Sequence, residues 1–277
     1  MKSANLFARS IIMLSLLMTA HGLYSQENTP NSDFAPEVGQ AGKDVIWVPT
    51  PQELVDTMLS IAKVTSEDFV IDLGSGDGRT VISAAKLGAR ARGIEFNPNM
   101  VELSKENATA AGVSNRTEFL NADLFESDFT QATVITMFLL TDINLRLRPQ
   151  LLDLKPGTRI VSNTFRMGEW EPDNEVTTEA SSSSWNDALL WIVPAKVEGK
   201  WKIGQSTLSL TQEFQFVHGT IETNGNNATI SDGRLRGYII TFTANGTEYQ
   251  GRVSGTTLSG TMTRGGNKSD WIARKSD

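Results

Sequence analysis

Phe69-Val70-Ile71-Asp72-Leu73-Gly74-Ser75-Gly76-Asp77-Gly78-Arg79 decides the fold of this chain. The apolar, β-branched start predicts a buried strand, which delivers Asp72 into a glycine turn before a helix opens at Arg79. Only glycine lets a backbone bend so tightly and approach a ligand so closely. The first turn of the following helix offers unpaired N–H groups and the positive end of a dipole. The stretch therefore predicts a cofactor pocket.

Spacing narrows the cofactor. A dinucleotide fingerprint reads G-x-G-x-x-G, but Arg79 stands where its third glycine belongs and Gly78 comes one residue early. A P-loop needs lysine after its glycines, and none follows here. What remains, D-x-G-x-G-x-G, resembles motif I of the class I S-adenosylmethionine-dependent methyltransferases.

Two further acids fall where the next strands should end. Arg92 to Phe96 reads as a second strand, and Glu95 lies 21 residues after Gly74, where a carboxylate can accept both ribose hydroxyls. A third apolar stretch, Thr117 to Leu120, leads to Asn121-Ala122-Asp123-Leu124. There the resemblance implies an acid that meets the exocyclic amine of adenine. The cofactor-binding set it implies is Thr50, Asp72, Gly74, Ser75, Gly76, Gly78, Glu95, Phe96, Asp123 and Leu124. It assigns no catalytic side chain and no metal ligand.

The alternation continues around this core. Thr50 is expected to cap a helix with Pro51 in its first turn, with Leu54, Val55, Met58, Leu59 and Ala62 at helical spacing. Helices are expected from Arg79 to Leu87, from Asn97-Pro98 to Ala111 and from Ile143 to Leu152, the first two ended by Gly88 and Gly112. Strands are expected over 132–140, 159–163, 176–179 and 189–193. Together they predict a Rossmann-like α/β domain, a mostly parallel seven-stranded sheet with helices on both faces, over residues 44–203.

From 204 to 277 the pattern changes to strand alternation, with turns at Asn224-Gly225, Asn245-Gly246 and Gly265-Gly266. Leu208 to Phe216 reads as one strand, and Gly219, Gly237, Gly251 and Gly260 as glycines that each open a strand. This predicts a small antiparallel sheet or barrel.

The first 25 residues look like a secretory signal: Lys2 and Arg9 precede the apolar run Ile11 to Ala20, and small residues follow at Ala20, Gly22 and Ser25. Export to the periplasm or beyond is expected, with an uncleaved membrane anchor as the alternative. Residues 26–43 read as a flexible lead-in.

Composition excludes several chemistries. The 277 residues contain no cysteine and two histidines, His21 and His218, which excludes thiolate ligands, a cysteine nucleophile and a histidine-rich metal centre. Net charge is −7, and residues 204 to 277 carry seven Lys/Arg against six Asp/Glu, so the acid is concentrated before them. That argues against a nucleic-acid partner and suits a basic protein segment.

A closer resemblance covers residues 44 to 203. Val48-Pro49-Thr50-Pro51, the glycine turn, Glu95-Phe96-Asn97-Pro98, Asp123-Leu124-Phe125, and Leu154 to Phe165 followed by Trp170-Glu171-Pro172 are similar to the mitochondrial protein-lysine methyltransferases that act on ATP synthase and on the adenine nucleotide translocase. The resemblance implies S-adenosylmethionine as cofactor and a lysine-bearing protein, such as a membrane or envelope protein, as acceptor. Two other functions stay open, a small-molecule or lipid methyltransferase and an exported binding module with a relic pocket. Thr136-Met137-Phe138-Leu139-Leu140 lacks the Asn/Asp-Pro-Pro-Tyr motif of enzymes that methylate DNA bases or glutamine. Phe138 and Trp170 are candidates for either an alkyl-amine channel or core packing, with packing favoured for Phe138.

Overall fold

The computed structural model describes residues 34–179 and 185–276. The signal pattern at 1–25 lies outside the described residues. Seven strands, β1 (Phe69–Leu73), β2 (Arg90–Glu95), β3 (Thr117–Asn121), β4 (Val134–Met137), β5 (Arg159–Asn163), β6 (Asn174–Thr177) and β7 (Asp187–Ile192), form one sheet. Their order is β3-β2-β1-β4-β5-β7-β6. The first five run parallel, and β7 lies antiparallel to both neighbours. The expected α/β architecture is the one observed.

Alternation along β1 explains how both sheet faces are covered. Val70 joins one core with Leu54, Val55, Met58 and Leu59 of α1 (Gln52–Ile61) and Val81, Ala84 and Ala85 of α2 (Arg79–Lys86). Val101 and Ala108 of α3 (Pro98–Ala110) join the same core. Ile71 and Leu73 point to the other face, where they meet Ile143, Leu147 and Leu151 of α4 (Thr141–Leu152) and the buried indoles Trp170 and Trp191. Each Val, Leu, Ile or Met side chain among them contributes roughly 1.5–3 kcal/mol by leaving water.

Several boundaries differ from the expected ones. Pro51, not Thr50, precedes the first helical residue of α1, and no side chain caps that end. Thr50 instead turns inward, is buried, and accepts a hydrogen bond from Asn163 Nδ2 at 3.3 Å. β4 is four residues long, because Phe138 leaves the ladder at the sheet's carboxyl edge. Trp170 is fully buried between Trp191 and Phe214, so it is a core residue and walls no channel.

The remaining strands close an antiparallel barrel, β8 (Gly199–Ile203), β9 (Ser206–Glu213), β10 (Phe216–Thr223), β11 (Asn226–Arg236), β12 (Ile239–Ala244), β13 (Thr247–Ser254), β14 (Thr257–Arg264) and β15 (Asn267–Ser276). β8 lies before the boundary expected at 204, and its pairing with β15 and β9 is what closes the ring. Two-residue turns join all neighbouring strands in sequence. Their first residues, Gly204, Phe214, Asn224, Gly237, Asn245, Gly255 and Gly265, all have φ between 47° and 59°. That is the left-handed geometry a twisted hairpin requires.

One of those turns, Phe214-Gln215, splits the single strand expected over 208–216. Gly219, Gly251 and Gly260 sit inside strands rather than opening them. At Gly251 a Cβ would lie 2.5 Å from the Trp271 ring, and at Gly260 it would lie 2.1 Å from the Gln250 carbonyl oxygen. Glycine there admits close packing in a narrow barrel. The barrel also closes over the α4 face of the sheet, where Phe214 stacks on Trp170 at 6.0 Å.

Candidate functional site

The sheet reverses direction of growth between β1 and β4, and the crevice at that switch point lies outside the strands' carboxyl ends. A cavity of about 220 Å³ opens there. Its lining includes Thr50, Asp72, Gly74, Ser75, Gly76, Glu95, Phe96, Asp123 and Leu124. Gly78 is the exception: with φ +81° it starts α2, and a Cβ would strike Phe119 and Ser104 at 2.9 Å. It serves packing and does not face the cavity.

Backbone hydrogen bonds hold the turn open. The amides of Gly74 and Ser75 both donate to the Ile94 carbonyl, at 2.9 and 3.1 Å. Glu95, at the end of β2, accepts from the Gly76 amide at 3.0 Å through Oε2 and from the Asn97 amide at 2.9 Å through Oε1. Ser104 Oγ and Asn107 Nδ2 on α3 donate to the carbonyls of Gly76 and Asp77. The loop's conformation is thus held by hydrogen bonds within the protein itself.

Arg79, the residue that breaks the dinucleotide pattern, has a structural task. Its guanidinium grips the Asp77 carboxylate, and Nη1 donates to the Thr50 carbonyl at 2.8 Å. It thereby ties the segment before α1 to the glycine turn.

Two carboxylates here sit above their ordinary ionisation range. Burial pushes Asp72 up to about 7, the nearby charges of Glu95 and Asp77 add to this, and hydrogen bonds from Thr136 and Thr80 oppose it. Thr136 Oγ1 donates to Asp72 Oδ1 at 2.7 Å. Burial likewise raises Glu95, against the amides of Asn97, Gly76 and Phe96. Asp123 moves the other way: the Lys43 ammonium hydrogen-bonds to it and the Phe125 amide donates to Oδ1, which holds it below the usual range.

Lys43 belongs to a strap of which sequence reasoning caught only the end, Val48 to Thr50. Residues 40–50 line the cavity, although 26–43 read as a flexible lead-in. Ala41 and Ile46 form an antiparallel bridge, and reciprocal amides join Gly39 and Gln40 to Trp47. The Trp47 indole lies so close to the glycine turn that a Cβ on Gly76 would come within 2.6 Å of Nε1. Lys43 Nζ also sits 4.8 Å over the Phe96 ring. Its apolar run Val45 to Val48 is too short to show a period, so Lys43 and Trp47 left no pattern that placed them at the site.

The cavity's other wall is apolar, with Met137, Phe138, Leu139, Leu140, Ile143, Phe165 and Trp185. Phe138, expected in the core, lines the cavity instead. Among the described residues no cluster of three His, Asp or Glu side chains is placed to hold a metal ion.

One feature of the turn leaves room for a ligand, and Ser75 Oγ is not part of it, since it packs against β2, where a Cβ on Gly93 would lie 2.4 Å from it. Gly74 and Gly76 both have positive φ, and side chains at either would fill the cradle. An adenosyl group with a cationic tail fits this donor set, since hydroxyls and positive charge would meet carboxylates.

A family model described as the ANTKMT methyltransferase domain matches residues 72–174. Over 138 residues the chain is 44% identical to a protein-lysine N-methyltransferase of Saccharolobus islandicus (strain REY15A), covering 49% of this chain and 86% of that protein. It is 35% identical over 130 residues to the adenine nucleotide translocase lysine N-methyltransferase of Mus musculus, covering 46% of this chain and 56% of that one. The chain thus spans little more than half the mouse protein's length. A crystal structure described as an RNA methyltransferase from Salinibacter ruber with S-adenosyl-L-homocysteine aligns at TM-score 0.51 and 45% identity, over 54% of this chain and 96% of that one.

Proposed function

The chain belongs to the methyltransferase family of these relatives, a family of S-adenosylmethionine-dependent enzymes, and on that premise we propose that its acceptor is a lysine amine of a protein. The observation that carries the proposal is that Asp72, the glycine turn and Glu95 share one cavity with a wall of apolar and aromatic side chains. In this reading Glu95 holds the ribose hydroxyls, Asp72 faces the cationic tail, and Gly74 to Gly76 give the ligand backbone contact.

When bound, S-adenosylmethionine supplies a methyl group on a positively charged sulfur. The acceptor amine must give up its extra proton to water before it reacts. With the donor bound, the glycine turn and Glu95 would hold it while the apolar wall would align the amine's lone pair with the methyl carbon, and the proton of the product ammonium would pass to water. Alignment in a closed cavity can supply most of the acceleration. We assign no side chain as the base.

A protein acceptor is favoured over RNA by charge, because the residues before the barrel are strongly acidic and would repel a phosphate backbone. The signal pattern extends the proposal to an exported or membrane-borne acceptor. The test is to incubate the protein with methyl-labelled cofactor and, separately, an envelope extract, RNA and lipid, beside Gly76→Arg and Glu95→Ala controls. Label on lysine of a discrete protein, lost in both controls, supports the proposal; label confined to RNA, lipid or small molecules overturns it.

A further inference from the structure

The carboxyl edge of the sheet is divided at the switch point. Over β1, β2 and β3 it presents Asp72, Glu95 and Asp123; over β4, β5 and β7 it presents Phe138, Phe165 and Trp185. β7 runs antiparallel to β5, so Trp185, just before its start, reaches the same edge as Phe138 and Phe165, just beyond the ends of β4 and β5. Three adjacent strands thus contribute one ring each.

Phe138 touches both other rings, and all three remain half-buried. Phe138 stacks on Phe165 at 5.9 Å with 24° between the planes, and meets Trp185 at 5.8 Å and 65°. The chain contains other large aromatics, but Trp170 and Trp191 have no exposed surface at all. The edge trio is built differently, as a corner of rings open to the cavity.

The backbone is strained where it sets this corner. Thr164 has φ +59°, a left-handed conformation that a β-branched residue adopts at a cost. Its amide donates to the Asp187 carbonyl at 2.8 Å, and the Phe165 carbonyl accepts from Ser162 Oγ and Asn144 Nδ2 at 2.8 and 3.0 Å. Such clamping overdetermines the position of the Phe165 ring.

We infer that Phe138, Phe165 and Trp185 form an alkylammonium-selective subsite that sets acceptor specificity, and that Thr164 positions it. The inference rests on the proposed methyltransferase reading and adds what discriminates among acceptors. Ring faces attract an alkylammonium through their quadrupole, and a neutral group of the same shape gains only the apolar contact.

The test uses choline and its neutral carbon analogue 3,3-dimethylbutan-1-ol as probes, titrated into the full chain with S-adenosylhomocysteine bound and followed by saturation-transfer NMR. Choline is expected to bind about tenfold more tightly than the analogue, and Phe138→Leu and Trp185→Leu are expected to abolish the difference. Thr164→Gly, which tolerates the same φ, is expected to retain it, while Thr164→Val weakens it by no more than a few-fold. S-adenosylhomocysteine affinity, measured by calorimetry, is expected to stay unchanged in the Leu variants. Equal binding of both probes, or loss of S-adenosylhomocysteine binding in the Leu variants, overturns this inference alone. Failure of the unmodified chain to bind S-adenosylhomocysteine overturns the methyltransferase reading and the inference with it.

Discussion

Glu95 accepts the Gly76 amide at 3.0 Å, so the end of β2 is tied directly to the apex of the glycine turn after β1. The same carboxylate accepts the Asn97 amide, which starts α3. One side chain therefore fixes the loop and, in the proposed function, binds the ribose. Glu95→Gln keeps one oxygen acceptor but loses the charge and the second acceptor. Calorimetry should show S-adenosylmethionine affinity falling roughly ten- to hundred-fold, by analogy with loss of a charge-assisted hydrogen bond. Unchanged affinity would remove Glu95 from the site.

Asp72 makes both stability and binding depend on pH. In the folded chain its ionisation is pushed up to about 7, while in the unfolded chain it ionises near 3.8. Between those values the folded state holds a proton that the unfolded state has released, so raising the pH through this window lowers stability. By pH 8 the cost reaches roughly 4 kcal/mol. Asp72→Asn removes it: the ligand-free variant should unfold at higher denaturant than the native chain at pH 8, with the two converging near pH 4. A cationic ligand favours the carboxylate, so native affinity for S-adenosylmethionine should rise as pH climbs towards 7 and stay flat in the variant. Parallel pH profiles for the two proteins would refute the assignment.

Sequence reasoning placed β1 directly before the glycine turn because a buried parallel strand needs an apolar run and the turn after it needs glycine. It recovered Asn97 and Pro98 at the start of α3 for a similar reason, since both have fixed chemistry at a helix end. The strap before Val48 left no such trace. Its residues are held by Asp123, the Phe96 ring and the glycine turn, all distant in sequence. The turn at Phe214 escaped because a bulky residue took a conformation usually left to glycine or asparagine. What makes that worthwhile is Trp170, on which the ring stacks, a contact no local pattern encodes.

Lys43 occupies the acid that the family resemblance gives to adenine. Its ammonium bonds to Asp123 and covers Phe96, so an incoming adenine would meet a strap already latched. Lys43→Met keeps the alkyl stem and removes the charge. Stopped-flow fluorescence should show S-adenosylmethionine association a few-fold faster in the variant, and added salt should speed the native chain in the same direction by screening the pair. Slower association in Lys43→Met would make the lysine a ligand contact instead of a latch.

The barrel and the sheet are joined through a buried charge. Asp173 is almost inaccessible, its side chain 2% exposed, and accepts from Arg234 Nη2 of β11 at 2.8 Å and from the Ile192 amide at 2.9 Å. Gln215 Nε2 donates to the Glu171 carbonyl beside it, and Arg148 lies over the Phe214 ring. Removing Arg234 leaves the carboxylate with the Ile192 amide and whatever water the truncation admits, a loss of about 1–3 kcal/mol. Arg234→Ala should therefore lower the denaturation midpoint clearly, although the arginine itself is partly exposed. Asp173→Asn in the same chain removes the stranded charge and should restore most of the loss, whereas Asp173→Asn alone should cost less than Arg234→Ala. If the two substitutions instead add independently, the pair is a surface contact, and the docking of the barrel rests on its other contacts, Phe214 on Trp170 and Gln215 on Glu171 among them.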